Sequence, residues 1–546
     1  MKLRYLCVIL LFFFFKISFA QNFYPEIQKL ETTAKIWGFL KYYHPEVATG
    51  KFNWDEELIK ILPKIKAATD TESLSQIYID WIGNLGVVKN CKNCTYERYD
   101  LFDRNFDLSW MSDDKKISQE LYAVLKNIEK NRFQGTNFYA SPSPAKNILI
   151  TNEINYEELD YPNESYRLLG LFRYWSIIEY FYPYKYLMDK KWSDVLTQMI
   201  PKYINASSKI NYHMAIKELV ANLDDSHAWI SLKDSKSTKF FPYKLKNIDD
   251  SCVISGSYNN NITQNESLMF GDVILKINGK SVYDEVQKRM KYTAASNLNR
   301  KINFIYEDMV NLESSSVNLT IKRGEEILDK VVNLYNFNNF KYYDSETNIK
   351  WKLLEEGNIG YVNMRIVDKK DVSAMMKEIV NCRGIIFDLR GYPKNTFYQI
   401  SEYINSEKKV FAKIVNPDPS YIGKFVWGNT LTTGHKNKNF YKGKVLILVD
   451  EQSLSLSEFA IMCFQTADNA ITVGSQSAGA DGNVSSFNYL GGFKTAMSGK
   501  GVYYPDERET QRLGVKIDYI VKPTILGLKE GKDEILDKAI DIIIKK

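Results

Sequence analysis

Apolar and polar positions alternate along the last third of the chain in a way that predicts strands joined by helices. Val445–Val449 is an unbroken apolar, β-branched run, as expected for a strand covered on both faces. Asp450–Ser453 breaks it, and from Ser455 the apolar residues Phe459, Met462 and Cys463 recur at helical spacing. The same alternation predicts strands at Ile359–Ile366, Gly384–Asp388, Val410–Val415 and Ala470–Gly474, with helices at Val372–Val380 and Thr396–Ile404. Crossover helices of this kind belong to a largely parallel sheet, whose ligand sites lie beyond the carboxyl ends of strands. Asp388 and Ser455 both fall at such ends. Upstream, Phe240–Tyr335 reads as short strands with an Asn278-Gly279 hairpin turn, a helix near Tyr283–Met290 and a strand at Ser316–Arg323.

The first mature region, Asn22 to about Arg132, is helical in pattern, and part of it recurs. Trp37, Pro45, Trp54 and Pro63 match Trp175, Pro183, Trp192 and Pro201, each pair 138 residues apart. Asn84-Leu85 maps onto Asn222-Leu223 at the same offset, so both copies leave their last helix through an Asn-Leu turn. There they diverge: the first copy continues with Val88-Lys89, the second with Ser226-His227.

Composition adds boundaries. With 546 residues, 45% of them hydrophobic and 14% aromatic, the chain can build several cores and is not a disordered one. Lys2 and Arg4 before the apolar run Tyr5–Phe15, then Ser18-Phe19-Ala20, read as a secretory signal peptide and predict an exported, periplasmic or extracellular protein. Removing it takes away Lys2, Arg4 and Lys16 and lowers the formal charge from +6 to +3. The remaining lysines are scattered, which gives no reason to invoke nucleic acid. Nothing later is long and apolar enough to span a bilayer. Cys91-x-x-Cys94 admits a local disulfide, half a zinc site or a redox pair; with no second pair at metal spacing, a structural disulfide is preferred and no metal or cofactor is expected. Cys382 and Cys463 lie in apolar segments and read as core residues.

Candidate chemistry follows from position. Ser455 sits at a helix start, where free N–H groups favour developing negative charge, yet Ser455-x-x-Glu458 is also a capping box whose hydroxyl simply serves the backbone. A serine needs a base, and the chain has only four histidines. His44 occupies the place of Tyr182 in the repeat and reads as packing, His213 is inside a helix and His435 lies in a polar loop. His227 is the best placed, against the plain alternative of a polar residue satisfied by Asp224 or Asp225.

Gly271–Val282, GDVILKINGKSV, resembles the strand, Asn-Gly turn and strand of PDZ domains, which implies a groove for an extended peptide. Together with Asp388-Leu389-Arg390-Gly391 and the run Ser453-Leu454-Ser455-Leu456-Ser457-Glu458, the chain resembles the C-terminal-processing and tricorn-type serine peptidases over about Tyr212–Ile544. The resemblance implies a crotonase-like α/β core and selects Ser455, three residues before the glutamate, as nucleophile. In the Ser/Lys branch a lysine follows by 25 residues, but that position is Ala480. The tricorn-like branch takes its histidine, preceded by serine, from the helical region, which implies His227 as base and Ser226 as an orienting residue. A late carboxylate is then expected; Glu509 is the choice, followed by Asp506 and Glu507. Oxyanion donors would be the N–H of Leu456 and one from the turn Gly391–Asn395, at Gly391 or Lys394, where the family has glycines and a lysine with φ > 0 would be strained. The expected organisation is a signal peptide (1–20), a first helical copy (21–155), a second carrying Ser-His (156–238), a PDZ-like β-domain (239–338) and an α/β peptidase core (339–546). Polypeptide substrates are the expected partners. The competing reading is an inactive member of this fold that binds peptide or lipophilic ligands, as interphotoreceptor retinoid-binding protein, similar in its core, does.

Overall fold

The computed structural model describes residues 26–92, 94–232, 239–263, 267–336, 338, 349–355 and 358–545. The proposed signal peptide lies outside them. The chain forms two compact units. The first holds the chain through Leu219 with two later segments, Asn416–Trp427 and Ser485–Gly499; the second holds Val220–Val415, Gly428–Val484 and Lys500 onward.

In the first unit the repeat is visible as matched bonding. Helix α1 (26–43) and helix α2 (Trp54–Ala67) carry Trp37 and Trp54, whose indole N–H groups each donate to the other's carbonyl at 3.0 Å. Helix α3 (Glu164–Phe181) and helix α4 (Trp192–Ile204) repeat the exchange between Trp175 and Trp192 at 2.9 Å. All four rings are buried, and buried indole N–H groups need partners, so a tryptophan pair is a self-contained way to lock one helix pair. Asn53 caps α2 by accepting from Glu56 N–H, and Asn163 caps α3 from Tyr166. Cys91 and Cys94 are joined by a disulfide.

The second unit includes two six-stranded sheets. A β-lobe contains β1 (Tyr243–Ile248), β2 (Ser251–Ser257), β3 (Val273–Ile277), β4 (Lys280–Ser281), β5 (Ser316–Arg323) and β6 (Glu326–Asn333), ordered β6-β5-β3-β2-β1 with β4 on β3. Asn278, at φ 47°, and Gly279, at φ 77°, make the tight β3–β4 turn. Helices α5 (Val282–Arg289) and α6 (Leu298–Val310) pack on it through Val282, Val286, Ile305 and Met309. The α/β core then has β7 (Trp351–Leu354), β8 (Ile359–Asn363), α7 (Val372–Ile379), β9 (Gly384–Asp388), α8 (Phe397–Ile404), β10 (Lys444–Val449), α9 (Leu456–Phe464), β11 (Ala470–Gly474), β12 (Tyr519–Ile520) and α10 (Glu534–Ile544).

Strands β7 to β12 lie side by side in chain order, the first pair antiparallel and β8, β9, β10, β11 and β12 parallel. The apolar run of β10 is explained by its two faces: Val445, Ile447 and Val449 enter the core beneath α7, α8 and α9, while Leu446 and Leu448 meet Ile535, Ala539 and Ile543 of α10. All five are buried, each worth about 1.5–3 kcal/mol. At the strand ends, Gly474, at φ 143°, pairs with Val449, and a Cβ there would fall 1.8 Å from the Val449 carbonyl oxygen. The expected elements form close to their expected bounds, except that β8 stops at Asn363, not Ile366.

Candidate active site

Beyond the carboxyl end of β10 the chain turns sharply into α9. Ser453 N–H donates to Asp450 O (2.9 Å) and Gln452 N–H to Asp450 Oδ1 (2.9 Å), closing the turn. The hydroxyls of Ser453 and Ser457 both donate to Leu389 O, at 2.7 and 2.6 Å, and both residues are fully buried. Two of the three serines are thus committed to joining the ends of β9 and β10. Ser455 is the partly exposed one.

Its backbone is held at φ 58°, ψ −118°, outside the extended region usual for an N-cap residue. Such a conformation costs of order 1–3 kcal/mol in a residue with a Cβ and persists only where surroundings enforce it. Here they are a loop, 475–482, and one carboxylate. Ser455 N–H points at Ala480 O (3.0 Å) and at Glu458 Oε2 (3.2 Å). Glu458 also accepts from Ser477 Oγ (2.6 Å), Gly479 N–H (2.9 Å) and Ala480 N–H (3.0 Å). Gly479, at φ 70°, lets that loop pass Arg512, whose backbone would lie within 3.0 Å of an added Cβ. Glu458 is fully buried; burial pushes its carboxyl up to about 7 against the pull of its four donors. Asp481, also buried, is pushed up by burial and by Glu458, and its Oδ2 has no hydrogen-bond partner.

The Ser226-His227 turn leaves a helix at Asp224, which takes φ 49°. Ser226 Oγ donates to Ala478 O at 2.9 Å, and Ala478 N–H donates to Ser453 O at 3.0 Å. One loop, 475–482, therefore bonds to the histidine turn and to the serine turn. Asp225 Oδ1 accepts His227 N–H (3.0 Å) and Gln511 Nε2–H (3.1 Å). His227 is buried, which lowers its imidazole below the ordinary value, with the Asp225 carboxylate opposing.

Glu509 pairs with Tyr503 in an antiparallel bridge and is half-buried. From the same stretch Gln511, two residues on, reaches the histidine turn, and Glu507 pairs with Lys413 at 2.7 Å. Sequence reasoning named Asp225 as a partner of His227 but missed Gln511, since a glutamine at such spacing announces no role. Asp388 and Arg390 form an ion pair (2.6 Å) extended to Asp533 and Tyr361. Burial would raise the Asp388 carboxyl, but the guanidinium holds it below the usual range.

The expected oxyanion turn follows β9. Lys394 N–H donates to Met364 O at 3.0 Å, so that donor is already used, and Lys394 is not among the described residues with positive φ. Gly391 packs against the Arg365 side chain, and Leu456 opens α9 directly after Ser455. No cluster of side chains among the described residues is arranged to hold a metal ion.

Residues 358–521, which contain this serine turn and its sheet, match Peptidase family S41. That segment is of peptidase family S41. With it the chain is a serine-type peptidase. The chain is similar in fold to mature CPAF complexed with lactacystin, at TM-score 0.55 and 13% identity over 69% of this chain and 98% of that one. Mature CPAF itself gives 0.53 and 13% over 69% and 97%. A putative peptidase from Parabacteroides merdae gives 0.44 and 14% over 70% and 98%. No curated protein matches the chain in sequence. Among the described residues of the S41 peptidase, no helix is long and apolar enough to cross a membrane.

Proposed function

We propose that this S41 peptidase is an exported endopeptidase of tricorn type, with Ser455 as nucleophile and His227 as its base. The observation that carries the reading is the enforced backbone of Ser455 at a strand-to-helix turn, bonded through loop 475–482 to the Ser226-His227 turn. Its two neighbouring serines are spent on structure, and the lysine position of the Ser/Lys branch is a buried alanine, Ala480.

In the reaction, Ser455 Oγ adds to the scissile carbonyl carbon as its proton passes to the His227 ring. The carbonyl oxygen takes the negative charge and accepts from Leu456 N–H, with Gly391 as second donor. The C–N bond then breaks as His227 returns the proton to the leaving amine. Water adds to the acyl-enzyme with its proton going to His227, and the C–O bond to Ser455 breaks as His227 returns that proton to Ser455 Oγ, releasing the acid. Burial lowers the imidazole below its ordinary value, which favours the neutral form a base needs. Ser226 orients the turn, and Glu509 is the carboxylate proposed to back the histidine. The β-lobe is read as PDZ-like, taking polypeptide substrate as an added strand, and the core as crotonase-like. Export accords with the Cys91–Cys94 disulfide.

The test is hydrolysis of denatured casein by the signal-less protein, its Ser455→Ala and its His227→Ala. Both substitutions should remove activity by about 10⁴-fold while leaving the thermal melt intact. Activity that survives both contradicts the assignment.

A further inference from the structure

The β-lobe does more in this structure than offer a sheet edge. Ser296 and Asn297, immediately before α6, bond to both sides of the proposed site. Ser296 Oγ accepts Ser226 N–H at 2.8 Å, and Ser296 N–H donates back to Ser226 Oγ at 2.9 Å. Gln511 Nε2 lies 3.3 Å from the same Ser296 Oγ while it holds Asp225. Ser296 is fully buried. Next to it, Asn297 Nδ2–H donates to Ser477 O at 2.9 Å, and Ser477 Oγ is a partner of Glu458, which fixes Ser455 N–H.

The two residues thus bridge the turn of the base and the loop that holds the nucleophile. Asn297 Oδ1 is already used, since it caps α6 by accepting Arg300 N–H at 3.0 Å. Its amide N–H is spare for capping and is spent on the loop. We propose that Ser296 and Asn297 are positioning residues for the peptidase reaction, setting the His227 turn and the Ser455 loop in register. The inference rests on the Ser455-His227 reading above. Buried hydrogen bonds of this kind hold a catalytic group within the narrow range that reaction needs, and a small misplacement is expensive in rate.

The variants are chosen to separate registration from folding. Asn297→Ser keeps an N-cap hydroxyl for α6 but is too short to bond Ser477 O, so the helix start survives and the bridge does not. Ser296→Ala leaves Ser226 N–H without its acceptor and Gln511 with Asp225 alone. Asn297→Gln lengthens the amide and serves as a second variant with the donor retained. The readouts are kcat and KM on casein-derived peptide and the rate of labelling by a fluorophosphonate, each per folded molecule. Asn297→Ser and Ser296→Ala should each lower kcat and the labelling rate by about tenfold, with KM within about twofold. Labelling and kcat at the wild-type level in both variants, while Ser455→Ala is inactive, would overturn the positioning role and leave the Ser-His reading standing. Full activity in Ser455→Ala would overturn both.

Discussion

His44 illustrates how far one residue departs from its neighbours. It is completely buried, and neither ring nitrogen has a hydrogen-bond partner. Burial lowers its imidazole from 6.5 to about 4, with Glu46 opposing. The unfolded chain therefore takes up a proton at a pH where the folded chain does not, so stability is lost as pH falls from 6.5 towards 4, by up to roughly 3 kcal/mol. Glu458 has the opposite sign. Burial holds it at about 7 in the fold, so its contribution is complete below 4.5 and is lost as pH rises through 7, again by up to roughly 3 kcal/mol. The two residues lie in different units. Hydrogen exchange between pH 7 and 4.5 should show protection falling in the helical unit and rising in the core. His44→Tyr, which copies Tyr182 of the second repeat, should remove the first trend, and Glu458→Gln the second. Parallel behaviour of both units in these variants would contradict the two assignments.

Among the elements, periodicity exposed what packing enforces and hid what only bonding does. The run Val445–Val449 was legible because both faces of β10 are covered, and the 138-residue offset because tryptophan and proline are rare enough for their coincidence to stand out. The reciprocal indole bonds supply the reason those tryptophans recur. Trp54→Phe and Trp192→Phe each delete one such bond at an equivalent place, so each should cost about 1–3 kcal/mol in urea unfolding, and the two costs should agree to within about 1 kcal/mol. A large inequality would mean that the copies do not share their packing. Ser455 and His227 could be singled out from sequence because few residues compete for those roles. Ser296, Asn297 and Gln511 could not: they are ordinary polar residues whose importance lies in partners 70 to 286 positions away. The bond from Lys394 N–H to Met364 O is likewise a contact that no local pattern displays.

At the scale of the molecule, a chain-order reading cuts the protein into consecutive domains, whereas the structure returns Asn416–Trp427 and Ser485–Gly499 to the helical unit. Tyr421 explains the first return: its hydroxyl donates to Glu129 at 2.7 Å, and Arg132 lies 3.8 Å from its ring centre. These are long-range choices that composition and spacing do not encode. The proposed catalytic parts, by contrast, all fall in the second unit, from the Ser226-His227 turn to Gln511. The central claim is that one serine of the three in the β10–α9 turn is activated by one histidine. It is tested most directly by treating the protein with a fluorophosphonate and mapping the adduct by mass spectrometry, beside His227→Ala. The account predicts a single adduct on Ser455, formed at least about 100-fold more slowly without His227. An adduct on another residue, or equal labelling in His227→Ala, would contradict it.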